Sequence, residues 1–116
     1  MENKRENTIL GKKVHVVIDR PMGSAHPNFP DLIYPLNYGY VPGTLALDGE
    51  EQDCYVLGVD HPLETFQGTV IGVLHRLDDV EDKWIVAKDD CHISKEEILK
   101  QVYFQEKFFK SKLFLR

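Results

Sequence analysis

The sequence is poor in several things that would have fixed its class at once. It has only two cysteines, Cys54 and Cys91, which make neither a disulfide framework nor a zinc-ligand spacing; both read as ordinary reduced thiols. No apolar run approaches the roughly 20 residues of a membrane span. The opening MENKRENTILGKK is polar where a secretory signal would be apolar, so a cytoplasmic location away from any membrane is expected. There is no basic excess: net charge is −5, which argues against a nucleic-acid partner. There is also no internal repeat, low-complexity linker or break in composition. The 116 residues, 42% hydrophobic, are therefore read as one domain spanning 1–116 with a modest core.

What is present is unevenly distributed. Residues 48–53, DGEEQD, carry −4, and residues 78–82, DDVED, carry −4. The rest of the chain is slightly basic. The acidity is two blocks rather than a diffuse coat.

The hydrophobic pattern predicts strands at Lys13–Asp19, Asp53–Val59, Thr69–Arg76 and Lys83–Ala87. TVIGVL, at 69–74, is apolar enough for a central strand. Residues 21–47 hold five of the six prolines, which excludes a helix. With Phe29, Tyr34, Tyr38 and Tyr40, that segment reads as ordered loop with short extended pieces. DHPLETFQG, at 60–68, reads as a turn-rich connection. Ser94 with Glu97 forms a capping box, and Ile98, Val102, Gln105 and Phe109 continue at helical spacing. Strands followed by one helix predict a small, mostly antiparallel sheet or barrel with the helix packed on it.

Both acidic blocks lie at strand ends, so their carboxylates can converge. Converged carboxylates repel and force one another to hold protons unless a cation sits between them. Oxygen donors without His or Cys select a hard cation such as Mg²⁺, Mn²⁺ or Ca²⁺. Two acidic turns facing solvent, far apart, is the competing reading of the same charges. Tyrosine hydroxyls near such a site can donate to phosphate oxygens, and equally can serve packing alone.

The segment Tyr34-Pro35-x-Asn37-Tyr38-Gly39-Tyr40-Val41-Pro42-Gly43-Thr44, followed by Asp48-Gly49-Glu50-x-x-Asp53, resembles the family I soluble inorganic pyrophosphatases, whose pattern is YPxNYGYxPxT and then DGDPxD. The resemblance runs through residues 68–74, Asp78, Asp82 and Ile85-Val86-Ala87, about half the chain. It implies a five-stranded OB-like β-barrel, mainly β with one C-terminal helix. It implies Mg²⁺-dependent hydrolysis of pyrophosphate to two phosphates by a metal-activated water, with Mn²⁺ as a possible substitute, in a homo-oligomer. It makes Asp48, Asp53, Asp78 and Asp82 metal ligands and puts Glu50 where an aspartate activates the water and touches metal. Asp48, Glu50 and Asp53 form the catalytic set. Tyr34, Tyr38 and Lys110 line the substrate site, Lys110 matching a phosphate-binding lysine. Asp19 stands where the family has a glutamate.

The departures are specific. Family members are longer, and a hairpin that brings a lysine, a glutamate and an arginine is missing between Pro21 and Tyr34. Arg20 is expected to take over part of the phosphate binding, with His26 the other available substitute. DGDPxD has become DGEEQD, Phe109 replaces a tyrosine, and the family's DWK is DKW, which puts Lys83 and Asp82 on opposite faces of a strand. Two alternatives stay open: hydrolysis of another small phosphoanhydride or phosphoester, and a degenerate barrel that only binds.

Overall fold

The computed structural model describes residues 9–46, 49–77, 81–89 and 91–115. The described residues form six strands: β1 Lys13–Arg20, β2 Asn37–Val41, β3 Gln52–Val56, β4 Thr65–Arg76, β5 Asp82–Ala87 and β6 Ser111–Leu115. A twelve-residue helix, α1 Lys95–Glu106, separates the last two. The order β1-β2-β3-β5-β4 closes through a β1–β4 pairing into the expected five-stranded barrel. β4 makes closure possible because it is twice the length of its partner β5. One edge of β4 carries β1 along Thr65–Thr69 and β6 along Gly72–Arg76, while β5 occupies the other edge.

The β3–β5 pairing is parallel, with Tyr55 opposite Ile85. Parallel neighbours begin side by side. Glu50 and Glu51 lead into β3 and Glu81 leads into β5, so this pairing brings the described parts of the two acidic blocks to one end of the sheet. Gln52 Nε2 donates to the Asp82 carbonyl at 2.6 Å across that junction.

Strand alternation divides the apolar residues into two layers. Val16, Ile18, Val41, Cys54, Val56, Val70, Val73 and Val86 come from all five barrel strands and fill its interior. Tyr34, Leu36, Tyr38, Tyr55, Leu57, Leu74, Ile85 and Leu113 pack outside the barrel against Ile98 and Val102 of α1. A side chain on Gly39 would collide with the Val17 carbonyl, so glycine is what lets β2 lie against β1 there. Buried Asn37 clips the proline-rich segment to its neighbours: its Oδ1 accepts from the Met22 and Leu63 amides and its Nδ2 donates to the His61 carbonyl.

Three elements differ from the sequence expectation. β6 forms after the helix, where no strand was expected, whereas β2 is one of the short extended pieces expected within residues 21–47. β4 starts at Thr65, four residues early, because Thr65–Gly68 finds a partner in β1 that local sequence does not reveal. The helix begins as expected, with the Glu97 amide donating to Ser94 Oγ at 3.1 Å, but it ends at Glu106. Phe109 therefore lies beyond it, and Lys110 directly precedes β6.

Candidate active site

The end of the sheet where β3 and β5 begin opens into a cavity of about 850 Å³. Its polar floor is built by alternation. Asp53 leaves β3 on the α1 side. Lys83 leaves β5 on the same side, and Glu81 just before the strand shares that parity. The Lys83 ammonium is almost fully buried and bridges the two acidic segments, 2.8 Å from Asp53 Oδ2 and 3.1 Å from Glu81 Oε2. Tyr38 from β2 completes this corner; burial first, then the Asp53 carboxylate, pushes its phenol well above the ordinary tyrosine value.

Behind the floor runs a continuous polar chain. The Arg76 guanidinium donates to both Glu106 oxygens, at 3.1 and 2.7 Å, and to Glu81 at 2.9 Å. It also lies 3.6 Å from the centroid of the Phe109 ring. The Tyr55 hydroxyl donates to Glu106 at 2.6 Å and accepts from Gln105 Nε2 at 2.7 Å. Gln105 Oε1 accepts from Tyr34, whose oxygen accepts from Arg20 Nη1 at 2.5 Å. Burial works against the Arg76 charge, yet the hydrogen bonds and charge of Glu106 outweigh it and hold the group above its ordinary pKa. Each buried polar group here has partners of matching chemistry, as a buried network requires.

The donor chemistry fits a hard divalent cation. Asp19, Asp53, Glu81 and Glu106 outnumber Arg20, Arg76 and Lys83 among the described residues of this region. Asp19 is pushed above the usual carboxylate range by burial and further by the charge of Asp53, although Arg20 opposes both. The described residues contain no group of three ligands already gathered for an ion.

A family model of inorganic pyrophosphatases matches residues 8–110. The chain belongs to the inorganic pyrophosphatase family. It is 39% identical over 87 residues to the inorganic pyrophosphatase of Vibrio parahaemolyticus, covering 70% of this chain and 44% of that one. It is 30% identical over 92 residues to the Mycoplasma genitalium enzyme, covering 74% and 50%. The chain thus spans about half the length of the curated relatives it matches. In three dimensions it resembles the inorganic pyrophosphatase of Ehrlichia chaffeensis, with a TM-score of 0.68 over 91% of this chain and 87% of that one at 18% identity, a likeness of fold.

Against that family background, the sequence-predicted residues divide. Asp53, Tyr38 and Arg20 line the cavity together. Tyr34 is fully buried behind Arg20 and touches the cavity through it. Asp82 leaves β5 on the barrel side and pairs with His75 Nδ1 at 2.6 Å, away from Lys83. The opposite-face rule for Lys83 and Asp82 holds, but it is the lysine that enters the cavity. Glu50 is exposed and Lys110 is exposed, and neither is among the cavity-lining residues. Asp48 and Asp78 lie outside the described residues. Sequence reasoning missed Glu81, Gln105 and Glu106. The parity of Glu81 with Lys83 was a usable signal for the first. The others depend on a contact between positions 76 and 106, which no local pattern carries.

Proposed function

We propose that this chain hydrolyses inorganic pyrophosphate to two phosphates in a divalent-metal-dependent reaction. The observation that carries the reading is the meeting of Asp53 and Glu81 around Lys83, beside Tyr38 and Arg20, in a member of this family. Asp53 would hold the ion together with Glu81 and, from the sequence pattern, Asp48 and Asp78, with Mg²⁺ preferred for an all-oxygen set. Such an ion supplies neutralisation of phosphate charge and acidification of water.

The chain's own groups do the rest. The Arg20 guanidinium has donors beyond the one used on Tyr34 and is placed to bind a phosphate oxygen. The Tyr38 hydroxyl stays protonated and can donate without adding charge. Lys83, 2.8 Å from Asp53 Oδ2, orients that carboxylate, so that Asp53 can accept the proton of the attacking water. We assign that role to Asp53 rather than Glu50, because Asp53 lies in the cavity and Glu50 does not. Exposed Ile33 and Tyr103 support a homo-oligomer.

The test is phosphate release from pyrophosphate with and without Mg²⁺. Wild type should release phosphate only with the ion. Asp53→Asn should be slower on the order of 100-fold, the scale of losing one positioned charge. Failure of wild type to release phosphate with Mg²⁺ or Mn²⁺ would sink the proposal. A Glu50→Gln protein that is as slow as Asp53→Asn would move the proton-accepting role to Glu50.

A further inference from the structure

The cavity is zoned. Its floor is ionic, but its mouth is aromatic. Phe29 and Pro30, in the loop between β1 and β2, and Phe108 and Phe109, after α1, line the same space as Arg20 and Asp53. Phe29 is 63% exposed and Phe108 66% exposed. Two large aromatic side chains beside a charged floor do nothing for an inorganic anion, which presents only oxygen atoms. The volume also falls within the roughly 300–1,000 Å³ typical of sites for organic ligands, and pyrophosphate would occupy only its floor.

The aromatic wall is built rather than incidental. The loop is closed by the Ala25–Ile33 bridge. The His26 amide donates to the Leu32 carbonyl at 2.8 Å and the Leu32 amide to the Phe29 carbonyl at 2.9 Å, which fixes the tip. The His26 ring lies nearly parallel to Tyr34, 13° between planes and 6.1 Å between centroids. On the other segment, Phe109 is held against the Arg76 guanidinium. The same Arg76 that organises the floor therefore also positions an aromatic ring of the mouth. Exposed rings that line the same cavity as Arg20 and Asp53 suit a small molecule carrying both a flat ring and an anionic group.

We infer that the cavity takes nucleoside 5′-diphosphates, with the diphosphate on the ionic floor and the base against Phe29 and Phe108. This rests on reading the floor as a phosphoanhydride site. A base offers the flat π-face that exposed aromatics stack on, and Asn28 and Asp31 on the same wall offer hydrogen-bonding groups to its edge or to the ribose. The reaction would be hydrolysis. The oxygen of water bonds to the terminal phosphorus. The bridging P–O bond breaks, and its electron pair leaves on the nucleoside monophosphate. The water proton passes through Asp53 to solvent.

Two measurements test this. The first is binding of α,β-methylene-ADP, which cannot be cleaved at the bridge, by calorimetry in the presence of Mg²⁺. The second is the ratio of kcat/KM for ADP to kcat/KM for pyrophosphate. Phe108→Ala and Phe29→Ala should each raise the analogue's Kd about tenfold and lower that ratio about tenfold, a loss of one stacked ring. Phe108→Tyr should restore both. Pyrophosphate hydrolysis without analogue binding overturns the nucleotide inference alone. So does a Phe108→Ala protein that binds the analogue as wild type does, or one that changes only its oligomeric state. If pyrophosphate and ADP both survive incubation with Mg²⁺ and the analogue does not bind, the anhydride reading falls and this one falls with it.

Discussion

The two layers of this molecule are built from different chemistry. The barrel interior is aliphatic: six valines, one isoleucine and one cysteine form its buried cluster. The layer between barrel and helix contains three tyrosines and borders Arg76, Lys83, Gln105 and Glu106, all buried. Both layers face the same five strands. The interior needs only volume and shape, which branched aliphatic side chains supply with little entropy to lose. The outer layer holds ionised and hydrogen-bonded groups, which stay only if every partner is supplied. The contrast teaches that the interior specifies the barrel, while the layer under α1 specifies the site.

The largest expected effect comes from breaking the polar chain on one side only. Glu106→Ala leaves the buried Arg76 guanidinium without its two main hydrogen bonds, and should lower unfolding free energy by about 3–5 kcal/mol in urea denaturation. The paired change Glu106→Leu with Arg76→Met replaces charges by apolar volume and should recover most of that stability. It should not recover phosphate release. If the paired variant is as unstable as the single one, the polar layer is needed for the fold and the contrast fails.

A smaller effect should come from the interior. Val73→Ala removes two methyl groups from a fully buried site. It should cost about 2 kcal/mol in the same denaturation experiment. Turnover per folded molecule should remain that of wild type, because no interior side chain lines the cavity. A drop in turnover well beyond the loss of folded protein would show that the layers are coupled.

The smallest effect is chemical. Burial, with Asp53 adding to it, pushes the Cys54 thiol far above its ordinary value, and the group is completely enclosed. Cys91 is only partly buried. A maleimide added to the native protein near neutral pH should therefore label one thiol per chain, at Cys91, and both after denaturation. Labelling of Cys54 in the native state would mean that the interior opens readily.

How much of this was legible in the sequence follows the same division. The interior was legible because its strands are strongly apolar and β-branched: KVHVVID and TVIGVLHR gave β1 and most of β4, and Ser94 with Glu97 gave the start of the helix. The family motif gave the barrel and singled out Asp53 and Tyr38, and Arg20 was added as a substitute for the missing hairpin. The outer layer was less legible because its members are set by long-range pairing. Phe109 fits the helical spacing and reads as core, yet its partner is Arg76 on another strand. SKLFL, after Lys110, becomes a strand only because half of one edge of β4 is left for it by β1. Strand parity separated Lys83 from Asp82 without saying which of them faces the cavity; that depends on the parallel register of β3 with β5.

The loop between β1 and β2 is tied at its neck, where the Gly23 amide donates to the Tyr34 carbonyl and the Tyr34 amide to the Ser24 carbonyl, both at 2.8 Å. Its two ends are thus fixed to the barrel independently of what lies between Ala25 and Ile33. Closing a longer loop on an existing neck adds cost only logarithmically with length, about 0.6 kcal/mol per doubling. Residues 26–32 therefore behave as a cassette. They can be lengthened, shortened or exchanged with the β1–β2 register intact, and each exchange rewrites one wall of the cavity. That makes this loop the place where a library of insertions would alter ligand choice at the least expense to folding.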